Sequence, residues 1–191
     1  MGTQVALETW RLFPERVRGL VLMCGSFGKV TQSFRGMPII DLILPKVMDI
    51  VDKQPDLVRA LWSRIPPEVA LKAALLARDV DPNHVRREDM LPYLRHMTHV
   101  DFPMFLRMLR AAGEHSAEKY LPQIDVPVLI VAGEKDTFTP ASLSEHMAEL
   151  IPNAELLMVP GGTHVAPIEQ PDLVGSRIKA FIDRVSGPST P

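Results

Sequence analysis

Two short segments of this 191-residue chain place an ionisable side chain where catalysis could use it. Gly133-Glu134-Lys135-Asp136 follows the apolar run Val126–Ala132, and Pro160-Gly161-Gly162-Thr163-His164 follows the run Ala154–Val159. A carboxylate beside an imidazole fixes the tautomer and orientation of the ring and stabilises the imidazolium formed when the ring takes a proton. The chain between Asp136 and His164 is long enough for one helix and one strand, so the two turns can be spatial neighbours. Their glycines permit the tight turns needed to aim each side chain into a cleft.

Other reactive residues have simpler readings. Cys24-Gly25-Ser26-Phe27-Gly28 superficially resembles a nucleophile turn between strand and helix, with cysteine in place of the first glycine. Such a turn needs a helix directly behind the serine, and Lys29-Val30-Thr31-Gln32-Ser33 carries little helix signal. Ser26 therefore reads as a strand-end residue and Cys24 as a buried, inert thiol. With one cysteine, neither an intramolecular disulfide nor a cysteine-based metal cluster can form. His96 and His99 could share a helical face, but no carboxylate or cysteine completes a metal set. His84 and His146 read as ordinary surface histidines, whereas His115 could face a pocket from the helical segment that precedes it.

The elements that must hold Asp136 and His164 are legible in outline. Residues 3–13 have helical spacing of Val5, Ala6, Trp10 and Phe13, and Pro14 disfavours continuation. Val17–Cys24 reads as a strand buried on both faces. From about 30 to 120 the strand-like runs vanish. Helices are expected over 55–64, 67–79, 86–97 and 101–113, with Pro67 at a favourable first-turn position. Met90, Met97, Met104 and Met108, near Phe102 and Phe105, form either an adaptable core between helices or the wall of an apolar pocket. Strand texture returns at Val126–Ala132. Thr139 is expected to cap a helix that Pro140 opens and that runs to about Leu150. Ala154–Val159 is the last strand. A final helix after Pro171-Asp172 aligns Val174, Ile178, Phe181 and Ile182 in one stripe, and the polar tail 186–191 is expected to be disordered. Alternation of strand and helix implies an α/β architecture of three parallel strands with flanking helices. Ligand sites in such sheets lie beyond the carboxyl ends of the strands, where Asp136 and His164 fall.

Composition is that of an ordinary globular protein: 46% hydrophobic, 23% charged, with a formal net charge of −2. That charge gives no electrostatic case for nucleic acid or an anionic membrane. No apolar run approaches the roughly 20 residues that span a bilayer, and the first residues lack signal-peptide character. A cytoplasmic, reduced setting fits.

VPVLIVAGEKD (126–136) closely resembles the segment of α/β-hydrolases whose strand ends in G-x-x-D and delivers the catalytic acid. PGGTHVAPIEQPDLV resembles the segment that delivers their catalytic histidine, and ALETWRLFPERVRGLVLMCGS the helix and strand behind their nucleophile elbow. The resemblance implies a partial α/β-hydrolase fold: core at 1–29, an inserted α-helical cap at 30–120, core again at 121–185, and the tail. It also implies hydrolysis of an ester, lactone or amide of a small apolar substrate through an acyl-enzyme, with Asp136 orienting His164 and no cofactor. The elbow reads G-x-S-x-G in that family. Met1-Gly2 match only its last two residues, so the nucleophile would precede Met1, and Met1 would hold an oxyanion-hole position. The resemblance thus implies truncation at an internal methionine in preference to a naturally reduced homologue. Three readings stay open beside ester hydrolysis: a non-catalytic fragment, a ligand- or partner-binding protein, and, within the fold, a dehalogenase, C–C hydrolase or acyltransferase. A missing neighbour of the first strand would also leave an apolar edge open to self-association.

Overall fold

The computed structural model describes residues 1–33 and 38–187. Helix α1 (Gly2–Leu12) buries Leu7 and Trp10, and its end gives way to a 3₁₀ turn at Pro14–Arg16. Strand β1 spans Leu20–Met23, shorter than expected, because Val17 still closes the preceding turn through its amide to Pro14 O (3.1 Å). Six helices follow: α2 (Val30–Ser33), α3 (Ile39–Lys53), α4 (Pro55–Trp62), α5 (Pro67–Leu76), α6 (Arg87–Thr98) and α7 (Phe102–Glu114). After a 3₁₀ segment at Glu118–Gln123 come β2 (Val128–Gly133), α8 (Ala141–Leu150), β3 (Ala154–Val159), α9 (Ala166–Glu169) and α10 (Pro171–Ser186).

The strands form one parallel sheet in the order β1-β2-β3, with Leu20 opposite Val128 and Val128 opposite Ala154. Every residue of the central strand β2 is buried, as a strand covered on both faces requires. Its side chains alternate between two cores. Val128 and Ile130 join Leu7, Leu22 and Met147 on the face of α1 and α8, whereas Leu129 and Val131 join Val159, Val174 and Phe181 on the face of α10. The stripe expected on α10 is narrower than four residues. Ile178 is half-buried, and Ile182 points to solvent. Helix α10 also extends through Ser186, so that residue is not part of a disordered tail; 188–191 lie outside the described residues, as do 34–37 of the long helical stretch.

The chain between β1 and β2 is helical, and its ends meet. Gly28 and Ser116 form an antiparallel bridge, the Lys29 amide donates to His115 O (3.0 Å), and the Ala117 amide donates to Phe27 O (2.8 Å). A side chain at Gly28 would lie 2.6 Å from His115 O, so the crossing is close enough to need glycine. Helix α3 was not expected from the sequence. Pro38 before it and Pro45 within it hide its period, yet Leu44, Met48 and Val51 pack against Leu106 of α7. Tertiary burial here outweighs the hydrogen bond that proline removes.

Candidate active site

Asp136 lies three residues beyond the end of β2, and its side chain is 1% exposed. Burying a carboxylate is costly unless donors surround it, and four do. Oδ1 accepts from the Phe138 amide (2.8 Å) and the Thr139 amide (2.9 Å); Oδ2 accepts from Thr139 Oγ1 (2.9 Å) and lies 2.9 Å from His164 Nδ1. This corrects the expected role of Thr139. Helix α8 begins at Ala141 with Pro140 as its N-cap and no side-chain cap, because the Thr139 hydroxyl is engaged by Asp136.

His164 follows β3 on a turn with Gly161 at φ +68°, a backbone state that favours glycine. The two strand-end turns are fastened together. Gly161 N donates to Glu134 Oε2 (2.7 Å), and Lys135 N donates to Gly162 O (2.8 Å). Gly133 permits this approach, since a Cβ there would fall 2.3 Å from Thr163 O. The Phe138 ring stacks on the imidazole at 5.0 Å. With Nδ1 donating to Asp136, the lone pair of His164 resides on Nε2, and the side chain is 35% exposed. The pair can therefore accept a proton at Nε2 and hold the resulting charge.

His164 opens into a cavity of about 610 Å³ whose wall includes Met1, Cys24, Met90, Met97, Phe105 and Phe138. Of the four methionines singled out in the sequence, Met90 serves both readings, packed in an apolar core and lining the cavity. Met90 and Met97 line the cavity, while Met104 and Met108 face solvent at 51% and 49% exposure. Among the described residues the cavity wall holds no serine, and its one cysteine is Cys24. Burial, followed by the charge of Asp136, pushes the Cys24 thiol up to about 12, which leaves it protonated at neutral pH.

Ser26 is buried elsewhere. Its hydroxyl donates to Gly28 O (2.6 Å) and accepts from the Gly28 amide (3.1 Å). The stretch after it does contain a short helix, contrary to the sequence reading, but α2 starts only at Val30 and does not abut Ser26. His115 does not line the cavity. It sits where the helical stretch rejoins the core, with Nε2 2.7 Å from Glu8 Oε1. Burial opposes ionisation of Glu8, but hydrogen bonds from Tyr120, His115 and Arg11 outweigh it and hold the carboxyl at about 2. Sequence reasoning passed over Glu169, a buried carboxylate that accepts from both the amide and the hydroxyl of Thr163 (2.7 and 2.8 Å). An acidic residue five positions beyond the histidine was its only signal.

With this geometry in view, known proteins resemble the chain as follows. The model of the alpha/beta hydrolase fold family matches residues 107–171, a span containing both strand-end turns. The sequence is 34% identical over 77 residues to "Putative carbamate hydrolase RutD" of Agrobacterium fabrum, covering 40% of this chain and 30% of that protein. Over 97% of the chain it is 25% identical to "Putative 2-succinyl-6-hydroxy-2,4-cyclohexadiene-1-carboxylate synthase" of Bacillus subtilis, of which the match covers 64%. A thermophilic esterase from Thermogutta terrifontis superposes with a TM-score of 0.67 at 21% identity, over 97% of this chain and 63% of the esterase. These matches span less than two thirds of each relative's own length.

Proposed function

We propose that the chain is a member of the α/β-hydrolase superfamily and supplies the acid and the histidine of a hydrolase whose nucleophile lies upstream of Met1. The observation that carries this reading is the Asp136–His164 pair, 2.9 Å apart beyond adjacent parallel strands and open to an apolar cavity. Met1 and Gly2, at the start of α1, line the same cavity as His164. Residues preceding α1 would thus enter opposite the imidazole, and the unpaired amides of a helix N-terminus suit a developing oxyanion.

In this scheme His164 Nε2 takes the proton of the nucleophile as it attacks the carbonyl carbon. The imidazolium, held by Asp136, then protonates the leaving group as its bond to that carbon breaks. Water then attacks the acyl-enzyme as Nε2 takes its proton, and the imidazolium returns that proton to the nucleophile as the acyl bond breaks and the acid leaves. A cavity of about 610 Å³ suits a small-molecule substrate. Its wall of Met90, Met97, Phe105 and Phe138 favours an apolar group on the substrate, here a carboxylic ester, lactone or amide. The relatives' names range over a carbamate hydrolase, a synthase and an esterase, so the bond is proposed from the acid–histidine chemistry of the α/β-hydrolase resemblance. The helical stretch at 30–120 acts as the cap over that cavity. By itself the 191-residue chain would bind such a ligand without turning it over.

The test is to compare the chain with a version extended upstream by a half that carries G-x-S. The extended protein should hydrolyse p-nitrophenyl esters, and a serine-directed phosphonate should abolish the activity. Saturable, His164-dependent hydrolysis by the unextended chain would overturn the proposal.

A further inference from the structure

Glu169 stands outside the acid–histidine pair, yet its carboxylate is 5% exposed and gathers donors from two distant parts of the chain. Oε2 accepts from Thr163 N (2.7 Å); Oε1 accepts from Thr163 Oγ1 (2.8 Å) and from Asp81 N (2.8 Å). Thr163 is the residue before His164. Asp81 belongs to the helical insertion, in the loop between α5 and α6. A carboxylate needed only for its own turn would have no use for an amide 88 residues away.

The same loop is fixed at a second point. Thr137, next to Asp136, donates its hydroxyl to Asp79 Oδ1 (2.9 Å). Residues 79 and 81 therefore reach the acid turn and the histidine turn respectively. The backbone is bent for this purpose at the end of α5. The Asp79 amide donates to Ala74 O (2.9 Å) and the Arg78 amide to Leu75 O (3.1 Å), with Arg78 at φ +59°. This closing turn ordinarily takes glycine, so a non-glycine residue there is held under strain by its surroundings. Apolar packing points the same way: Val165, just before α9, and Ile168 within it pack against Leu71, Val80 and Met90 of the insertion.

We propose that Glu169 is a positioning residue that brackets the histidine turn to the helical insertion, so that docking of residues 79–81 sets the aim of His164. The proposal rests on the reading of Asp136 and His164 as a working pair. It makes the insertion part of the catalytic alignment as well as a cover for the cavity: a substrate that shifts the insertion would shift His164 through one carboxylate.

The experiment uses the 191-residue chain labelled with ¹⁵N-histidine and, separately, uniformly. Wild type should show His164 protonated at Nδ1, with a downfield Nδ1 proton. Its Asp81 and Thr163 amides should share one degree of protection from exchange. Glu169→Gln keeps the size but removes an acceptor: its NH₂ opposes either the Thr163 amide or, flipped, the Asp81 amide and the Thr163 hydroxyl, so the bracket is broken in either orientation. In that variant, still unfolding cooperatively, the downfield proton should be lost and the two tautomers mixed. Both amides should lose protection together by about tenfold, the factor expected for one hydrogen bond. Thr163→Val removes only the hydroxyl arm and should weaken the His164 signature partway; it decides the matter if Glu169→Gln does not fold. An unchanged His164 signature in either folded variant overturns the proposal, as does unchanged protection at both amides in folded Glu169→Gln. A wild-type His164 without Nδ1 protonation sinks the acid–histidine reading itself, and the positioning role with it.

Discussion

Replacing Gly133 by alanine tests whether the closeness of the two strand-end turns aligns the acid with the histidine. A Cβ at this position would lie 2.3 Å from Thr163 O and 2.6 Å from Gly162 O, both backbone atoms that cannot rotate aside. Restoring even 3.0 Å requires the turns to part by about 0.7 Å, which is 3.0 less 2.3. If that movement falls along the line from Asp136 to His164, their 2.9 Å separation grows to about 3.6 Å, too long for a hydrogen bond. Overpacking of this kind costs about 2–3 kcal/mol. For a chain of this size that lowers the melting temperature by roughly 4–12 °C. Thermal unfolding of Gly133→Ala would read the stability change, and the downfield Nδ1 proton of His164 would read the alignment. In an extended, nucleophile-bearing protein, a misplacement approaching 1 Å should also lower kcat by roughly 10². A variant that melts with wild type and keeps that proton would refute the reasoning, because it would mean the turns can part at no cost to the pair.

In the same extended protein, His164→Ala should remove nearly all turnover. Asp136→Asn should cost roughly 10⁴ in kcat, by analogy with the serine-protease case in which the wrong histidine tautomer results; a loss under tenfold in folded protein would count against the assigned roles. Glu8 offers a pH test. Its folded value of about 2 lies below the ordinary 4.5, so its contribution to stability is complete above about pH 4.5 and fades as pH falls toward 2. Denaturation midpoints of wild type and Glu8→Gln should therefore differ at pH 6 and converge near pH 2, and a constant gap would contradict this. The outer edge of β1 has no strand beside it among the described residues, and Met23 and Val5 are exposed nearby. Sedimentation should show concentration-dependent association of the 191-residue chain; a single monomeric species at high concentration would argue against it.

Local chemistry made much of the fold readable. The apolar run before Gly133 is satisfied by burial on two faces, so β2 declares itself, and the short run before Pro160, which is only half-buried, is marked as β3 by the breakers on either side of it. The proline-opened helices α4, α5 and α7 begin where proline's fixed φ suits a first turn. The two ionisable residues were legible for the same reason: they stand where buried strands must end, and the glycines beside them mark sharp turns. That a carboxylate and an imidazole at consecutive strand ends meet follows from parallel topology, which the strand–helix alternation already implied.

What the sequence could not reveal depends on side chains brought together from far apart. Helix α3 carries Pro45 inside it and breaks the local rules; burial of Leu44, Met48 and Val51 against α7 decides it. Four methionines of one composition divide between cavity wall and solvent because helix rotation, set by packing, assigns each its face. Thr139 has the character of a helix cap, but a buried carboxylate nearby competes more strongly for its hydroxyl. Glu169 and Asp81 are unremarkable polar residues along the chain, and only the docking of the insertion makes one the partner of the other. The sequence by itself determined which strands form, where they end, and which groups wait there. The tertiary structure decided how those groups are held, because the energy of a buried hydrogen bond depends on what surrounds it and not on the residues that are its neighbours in sequence.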